Sequence, residues 1–171
     1  MTESPKTFII ANALNRRLQY EYQYLSTKYD KCEIIYSPDK STLLLIVNHN
    51  NKTYNFDISA NYPFVSPNLT MNGKKYVDWF KIKTPYFNRF IKYISGIDCL
   101  CCASYLNRDN WSPSFTIDII IKQSEEFINY KYLIFIKIIL DKIKSKYLLN
   151  DIDLESWLFI RLSLRIFLCF F

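Results

Sequence analysis

Near its beginning the chain spaces apolar residues three or four positions apart, with charged residues between them. The apolar positions are Ile10, Leu14, Leu18, Tyr22 and Leu25, whereas Arg16, Arg17 and Glu21 lie off that row. Residues at this spacing share one face of an α-helix, which completes a turn every ~3.6 residues. We therefore predict an amphipathic opening helix over 8–25, with its apolar face toward a core.

Short runs of β-branched and aliphatic residues follow, and turn residues separate them. The runs lie at 33–36, 42–47, 53–58 and 68–71. They predict four strands, of which the first three are joined by hairpin turns at 37–40 and 48–52. Pro63 and Pro67 bias the residues before them toward extended backbone, so the fourth strand can begin only after them.

Helical spacing returns in the second half of the chain. It predicts helices over 85–95, 116–127 and 132–148. Glu125 and Glu126, at the junction of the last two, are expected to form a solvated face. An N-terminal helix, an antiparallel four-stranded meander sheet and C-terminal helices make an α+β fold.

The end of the chain is an apolar tail. We assign 1–150 to one core domain and 151–171 to an apolar C-terminal helical extension. Charged residues interrupt the tail, and it is short for a membrane span, which needs about 20 apolar residues. We therefore expect a packed or interfacial helix there rather than a membrane anchor.

Composition narrows the class of protein. A chain of 171 residues, half of them apolar, can bury the core of one domain without disulfides or a structural metal. No signal peptide is evident and the five cysteines are bunched, so we expect free thiols in the reducing cytoplasm. The net charge of +6 comes without a basic run, so nucleic acid is not an expected partner. Gly73 and Gly96 are the only glycines, which excludes a glycine-rich phosphate-binding loop.

Three of the five cysteines fall within four positions, at Cys99, Cys101 and Cys102, just ahead of a Trp-Ser-Pro turn. Packing alone does not explain such a cluster. A thiolate is a good nucleophile and a good leaving group, so the cluster is a candidate for covalent catalysis. Cys32 and Cys169 stand apart from it and are expected to be ordinary core thiols.

Four motifs along the chain resemble those of the ubiquitin-conjugating enzymes. In chain order they are Arg17-Leu18-Gln19-Tyr20-Glu21-Tyr22-Gln23-Tyr24-Leu25, Tyr62-Pro63-Phe64 with Pro67, a cysteine followed by Ala103-Ser104-Tyr105-Leu106, and Trp111-Ser112-Pro113-Ser114. The resemblance covers roughly residues 8–148. It implies a conjugating fold whose cysteine accepts the C-terminus of ubiquitin from a ubiquitin-activating enzyme. That cysteine holds ubiquitin as a thioester and passes it to a lysine of a target protein.

The resemblance also implies the partners. They are ubiquitin, the activating enzyme, a RING-type ubiquitin ligase and the target lysine, with no metal or organic cofactor. Within the family's pattern the opening helix, including Arg17, faces the activating enzyme, and Pro113 and Ser114 face the ligase. The composition and size suggest a divergent copy of the kind that large DNA viruses encode.

The resemblance leaves two candidates for the catalytic cysteine. Cys102 is favoured, because Tyr105 and Leu106 behind it can anchor the short turn in the way the family's hydrophobic pair does. Cys99 is the alternative, because Gly96-Ile97-Asp98-Cys99-Leu100 resembles the family's run ahead of its cysteine. In that alternative, Asp98 stands where an aliphatic residue is expected.

The chain departs from the family in lacking its His-Pro-Asn motif. Asn88 is the nearest candidate for the missing asparagine, and Asn107 and Asn110 are alternative amide donors. An amide donor matters because it stabilises a developing oxyanion. This departure keeps open a second hypothesis, in which the chain is a catalytically inactive relative of RWD type that serves as a protein-binding module.

A metal site is a third hypothesis. It would use the three clustered cysteines and His49, the only histidine in the chain. Structural zinc sites prefer Cys-x-x-Cys pairs, and adjacent cysteines are expected to point apart, so this hypothesis is disfavoured. His49 lies in a predicted turn and is expected to be solvated. With a single histidine, a cysteine hydrolase that needs a histidine base is also not expected.

Overall fold

The computed structural model describes residues 13–37, 42–81 and 85–147, with side chains described for 16–37, 42–81 and 87–141. The elements in chain order are α1 (Ala13–Lys28), β1 (Lys31–Tyr36), β2 (Thr42–His49), β3 (Lys52–Ser59), β4 (Asn68–Met71), β5 (Lys74–Lys75), α2 (Tyr76–Phe80), α3 (Pro85–Ser95) and α4 (Ile117–Tyr147). The α+β class is confirmed. The tail at 151–171, its expected helix and residues 8–12 of the opening helix lie outside the described residues.

The sheet is an antiparallel meander in the order β1-β2-β3-β4-β5. Alternate residues of β2 and β3 are buried and lie opposite one another, in the pairs Leu43–Ile58, Leu45–Phe56 and Val47–Tyr54. This alternation places one face of the sheet against the core. Each end of β1 to β4 lies within two residues of the end of the run that predicted the strand.

The sheet has five strands rather than the four expected. β5 is only two residues long, and both are exposed lysines, so it carries no apolar alternation for the sequence to show. The strand forms because the turn before it brings the chain back alongside β4. Asn72 and Gly73 have φ values of 49° and 74°, the left-handed conformation of a tight hairpin turn that folds the chain back onto β4.

The short helix α2 was not predicted. It has a single pair of residues one turn apart, Tyr76 and Phe80, and both are buried. Trp79 on the same helix donates its indole N–H to the carbonyl of Met71 at 2.7 Å. Five residues are too few to show helical periodicity, so only the packing of these aromatic side chains reveals the helix.

The long helix α4 replaces the two predicted helices with one uninterrupted element of 31 residues. The residues between the predicted halves, 128–131, contain neither proline nor glycine. Ile128 is buried, and Lys131 donates to the carbonyl of Trp79 at 2.6 Å. A polar stretch without a helix breaker does not end a helix when its neighbours are buried on both sides.

The core lies between the buried face of the sheet and the helices. Leu25 of α1, Phe56 of β3 and Ile120 of α4 are among its fully buried members. α1 contacts both β1 and α4, and α3 contacts α4. No helix in the described ranges combines the length and the apolar character that a membrane span requires.

Candidate active site

The clustered cysteines lie on a loop between α3 and α4. α3 ends at Ser95, and the next residue, Gly96, has a φ of 71°, the left-handed conformation that commonly terminates a helix. The N–H of Gly96 still donates to the carbonyl of Lys92 at 2.9 Å, and the chain then turns away. We call residues 99–110 the cysteine loop; it is a succession of turns without regular structure.

All three thiols of the cysteine loop converge. The Sγ atoms of Cys99 and Cys101 are 2.9 Å apart, and those of Cys101 and Cys102 are 4.0 Å apart. The three Sγ atoms lie within 4.8 Å of one another. The expectation that the adjacent cysteines point apart is therefore wrong, because the tight turn brings neighbouring side chains to the same side.

The thiols differ in exposure and in hydrogen bonding. Cys102 is exposed, whereas Cys99 and Cys101 are half-buried. The backbone N–H of Cys102 donates to the Sγ of Cys99 at 3.4 Å, a contact that favours a thiolate there. Exposure thus distinguishes Cys102, and backbone hydrogen bonding distinguishes Cys99.

The same surroundings shift the pKa values of the three thiols in different directions. Burial tends to raise the pKa of Cys99, but hydrogen bonds from the thiols and backbone N–H groups of Cys101 and Cys102 outweigh it and lower the pKa. Burial, together with the neighbouring Cys99 sulfur, raises the pKa of Cys101 to about 12. The hydrogen bond with Cys99 raises the pKa of Cys102. Of the three thiols, Cys99 is therefore the one whose surroundings favour the thiolate.

Side-chain amides hold the cysteine loop in shape. Asn110 donates from Nδ2 to the carbonyls of Cys102 at 2.7 Å and Ser104 at 3.1 Å, and Asn107 donates to the carbonyl of Cys102 at 3.2 Å. Both alternative amide donors therefore lie at the cluster. Asn88 is exposed on α3, and the described contacts include no hydrogen bond from it to this loop.

Gln123 of α4 supports the cysteine loop and was not predicted as a site residue. It is 8% exposed, accepts the N–H of Tyr105 at 2.9 Å and donates to the carbonyl of Ala103 at 3.3 Å. These contacts tie the cysteine loop to the core. A glutamine among the apolar residues of a buried helix face needs hydrogen-bond partners, and this feature of the sequence indicates a structural role for Gln123.

The residues expected to anchor the turn do pack. The ring of Tyr105 lies 4.5 Å from that of Phe115, and Leu106 packs against the core. Leu100, which follows Cys99, is also buried, with 1% of its surface exposed. Apolar anchors therefore flank both candidate cysteines, and packing does not choose between them.

A buried carboxylate joins the opening helix to the start of α4. Glu21 is 4% exposed. Its Oε1 accepts hydrogen bonds from Arg17 and from the hydroxyl of Tyr62, the latter at 2.7 Å, and its Oε2 accepts the N–H of Ile117 at 2.8 Å. Arg17 also donates to the carbonyl of Phe115 at 3.1 Å. The Glu21 hydrogen bond is the main cause of the raised pKa of Arg17.

The tryptophan turn (residues 111–114) contacts the proline segment (residues 62–67). The indole N–H of Trp111 donates to the carbonyl of Pro63 at 2.7 Å, next to the cis peptide bond between Tyr62 and Pro63. Pro113 and Ser114 are exposed on the same turn. Glu21 therefore links the opening helix to the proline segment, and Trp111 links the tryptophan turn to the same segment. These three segments are far apart in sequence.

The remaining candidates lie elsewhere. His49 ends β2, where its ring packs edge-on against Tyr29 with centroids 4.8 Å apart, and it is not part of the thiol cluster. Cys32 is half-buried in β1 and packs against the core, and burial raises its pKa to about 11. Cys169 lies outside the described residues.

The expectation of a solvated face at Glu125 and Glu126 is wrong for Glu125. Glu125 is half-buried in the first third of α4 and accepts hydrogen bonds from Lys52 at 2.9 Å and from the hydroxyl of Tyr54. Glu126 is exposed and accepts from Tyr130. Because α4 is continuous, Glu125 faces the sheet and not a junction between helices.

Comparisons of this chain with protein-family models, curated proteins and solved structures find no match.

Proposed function

We propose that this protein is a ubiquitin-conjugating transferase that works through a cysteine thioester. The observation that carries the proposal is the cysteine loop itself: an exposed thiol beside a thiol that accepts a backbone N–H, on a loop fastened by buried side chains. A nucleophile that must meet another protein's thioester has to be exposed and positioned at once. The contacts among the motif residues around Glu21 and Trp111 add support, because they make the resemblance consistent in three dimensions.

The proposed chemistry is two successive acyl transfers. The cysteine thiolate attacks the carbonyl carbon of the thioester between ubiquitin and the activating enzyme, and the activating enzyme's thiolate leaves. A target lysine amine then attacks the new thioester, loses a proton and expels the cysteine thiolate. Asn107 and Asn110 act as positioning residues, since their amides are engaged by the loop's carbonyls.

We assign the acceptor role to Cys102 because it is the exposed thiol, which the bulky ubiquitin thioester can reach. Cys99 is the alternative, because the backbone N–H of Cys102 stabilises its thiolate. The partners follow from the resemblance: ubiquitin, an activating enzyme, a RING-type ligase and a target lysine. The proposal places the activity in the cytoplasm, where thiols remain reduced.

A charging assay tests the proposal. Wild-type protein and the single variants Cys99→Ser, Cys101→Ser, Cys102→Ser and Cys32→Ser are incubated with activating enzyme, ATP and ubiquitin, and resolved with and without thiol reductant. We expect a reductant-sensitive adduct in the wild type and in Cys32→Ser, and its loss in Cys102→Ser. Loss in Cys99→Ser alone would move the nucleophile to Cys99.

The protein-binding module remains the second candidate. The observation that favours it is the position of Asn88, exposed on α3 and without a hydrogen bond to the cysteine loop in the described contacts. The described contacts therefore give no support to Asn88 in the role of the family's asparagine. A folded wild type that forms no adduct at any enzyme concentration would favour the binding module over the transferase.

A further inference from the structure

The three converging sulfur atoms of the cysteine loop are also close enough together to bind one metal ion. Thiolates bound to one ion lie about 2.3 Å from it, which places three of them about 4 Å from one another. The Sγ atoms of Cys101 and Cys102 are already 4.0 Å apart, and all three lie within 4.8 Å. The Sγ atoms of Cys99 and Cys101, 2.9 Å apart, would have to separate to about 4 Å for all three sulfurs to bind one ion.

The donor set selects the ion. Among the described residues, the group consists of the three cysteines and includes no histidine or carboxylate. Zinc in proteins takes four ligands, whereas Cu(I) is satisfied by three, and soft thiolates favour Cu(I). We propose that Cys99, Cys101 and Cys102 bind one Cu(I) ion in three-coordinate geometry.

The loop is suited to this role. Cys102 is exposed, so an ion can enter from solvent, and Gln123, Asn107 and Asn110 hold the backbone that carries the ligands. Binding converts thiols to thiolates and releases their protons to solvent, and the oxidation state of copper does not change. The inference goes beyond acyl transfer and does not depend on it, although a bound ion would occupy the proposed nucleophile.

The test uses the full chain and Cu(I), kept reduced with ascorbate in the absence of oxygen. A background with Cys32→Ser and Cys169→Ser removes the two thiols outside the cluster. Titration against the chelator bicinchoninate gives stoichiometry, and the ultraviolet sulfur-to-copper charge-transfer band reports the ligands. We expect one Cu(I) per chain in wild type and in the background, and loss of that site when Cys101→Ser is added.

Cys101→Ser is the decisive change because Cys101 has no assigned role in acyl transfer. The same substitution in the otherwise wild-type chain repeats the test if the background folds poorly, and circular dichroism checks each fold. Copper retained by Cys101→Ser, or lost from the background, would overturn the proposal. A site that prefers Zn²⁺ over Cu(I) would overturn the three-coordinate assignment. Charging measured separately on metal-free protein keeps the two proposals distinguishable.

Discussion

At the scale of single residues, buried carboxylates join distant parts of the chain. Glu21 accepts hydrogen bonds from Arg17, Tyr62 and Ile117, and Asp118 accepts them from Lys28, Tyr29 and Lys122. Removing such a group takes the acceptor from these donors, and a buried donor left unpaired costs more than its hydrogen bond contributed. We therefore expect the loss of either carboxylate to lower the unfolding free energy.

Glu21→Ala leaves the hydroxyl of Tyr62 and the N–H of Ile117 without their acceptor. We expect a loss of about 2–4 kcal/mol in unfolding free energy, seen as a lower midpoint in urea. Glu126→Ala, which removes an exposed glutamate of α4, is the matched control and should change the midpoint little. Equal midpoints for the two variants would contradict the structural role of Glu21.

Asp118 makes stability depend on pH. Burial tends to raise its pKa, but hydrogen bonds from Lys28, Tyr29 and Lys122 outweigh it and lower the pKa below the ordinary value. A carboxyl whose folded pKa is lowered stabilises the protein above the unfolded pKa of about 4, and that contribution is lost as pH falls through the folded pKa.

The difference in unfolding free energy between wild type and Asp118→Asn should therefore be largest above about pH 5 and shrink below about pH 4. Urea unfolding at a series of pH values measures it. Asp30→Asn, at an exposed position, shows the effect of removing a surface carboxylate. A difference that stays constant down to pH 3 would refute this account.

At the scale of elements, the continuity of α4 sets the architecture of the second half. Its first turns support the cysteine loop through Gln123 and bind Glu21 through the N–H of Ile117. Further along the helix, Glu125 contacts the sheet and Lys131 contacts α2. One rigid helix therefore relates the cysteine loop to the opening helix and the sheet.

Asn129→Pro tests that continuity, because Asn129 is an exposed residue between the two helices predicted from the sequence. Inside a continuous helix, proline removes a hydrogen bond and clashes with the preceding turn, so we expect a loss of about 3 kcal/mol or more. Asn129→Ala is the control and should be neutral or slightly stabilising. Equal unfolding free energies for the two variants would indicate a break at this position.

At the scale of the whole molecule, a groove of about 320 Å³ runs between α1 and the start of α4. Tyr20 and Tyr24 line it and are 71% and 46% exposed, and the groove also includes Arg17 and Thr116. Exposed tyrosines are frequent anchors of protein interfaces. One side of the groove is α1, the helix that the resemblance assigns to the activating enzyme.

Tyr20→Ala should slow charging by about tenfold while leaving the unfolding midpoint unchanged, if this surface receives the activating enzyme. Arg17 is a poorer probe, because its bonds to Glu21 and Phe115 make it part of the fold. Tyr93→Ala, at an exposed tyrosine of α3, is the control. Charging rates that match between the two variants would remove the groove from the proposed interface.

Elements with a local signal could be predicted from the order of residues alone. Periodic apolar residues predicted α1 and α3, and runs of β-branched and aliphatic residues predicted β1 to β4. The bunching of cysteines pointed to the loop that carries the candidate site. Each of these patterns is complete within a few turns or one strand. The structure adds that the side-chain amides of Asn107 and Asn110 donate to the carbonyl of Cys102 in that loop.

Contacts and elements that depend on residues far apart in the chain could not be predicted from the sequence and are seen in the folded structure. The partners of Glu21 lie up to 96 positions away, and Gln123 is 18 positions from the backbone N–H it binds. The strand β5, the helix α2 and the unbroken α4 are stabilised by packing and turn geometry, which local periodicity does not record. The meeting of three thiols depends on the path of one tight turn, and the order of residues alone does not specify that path.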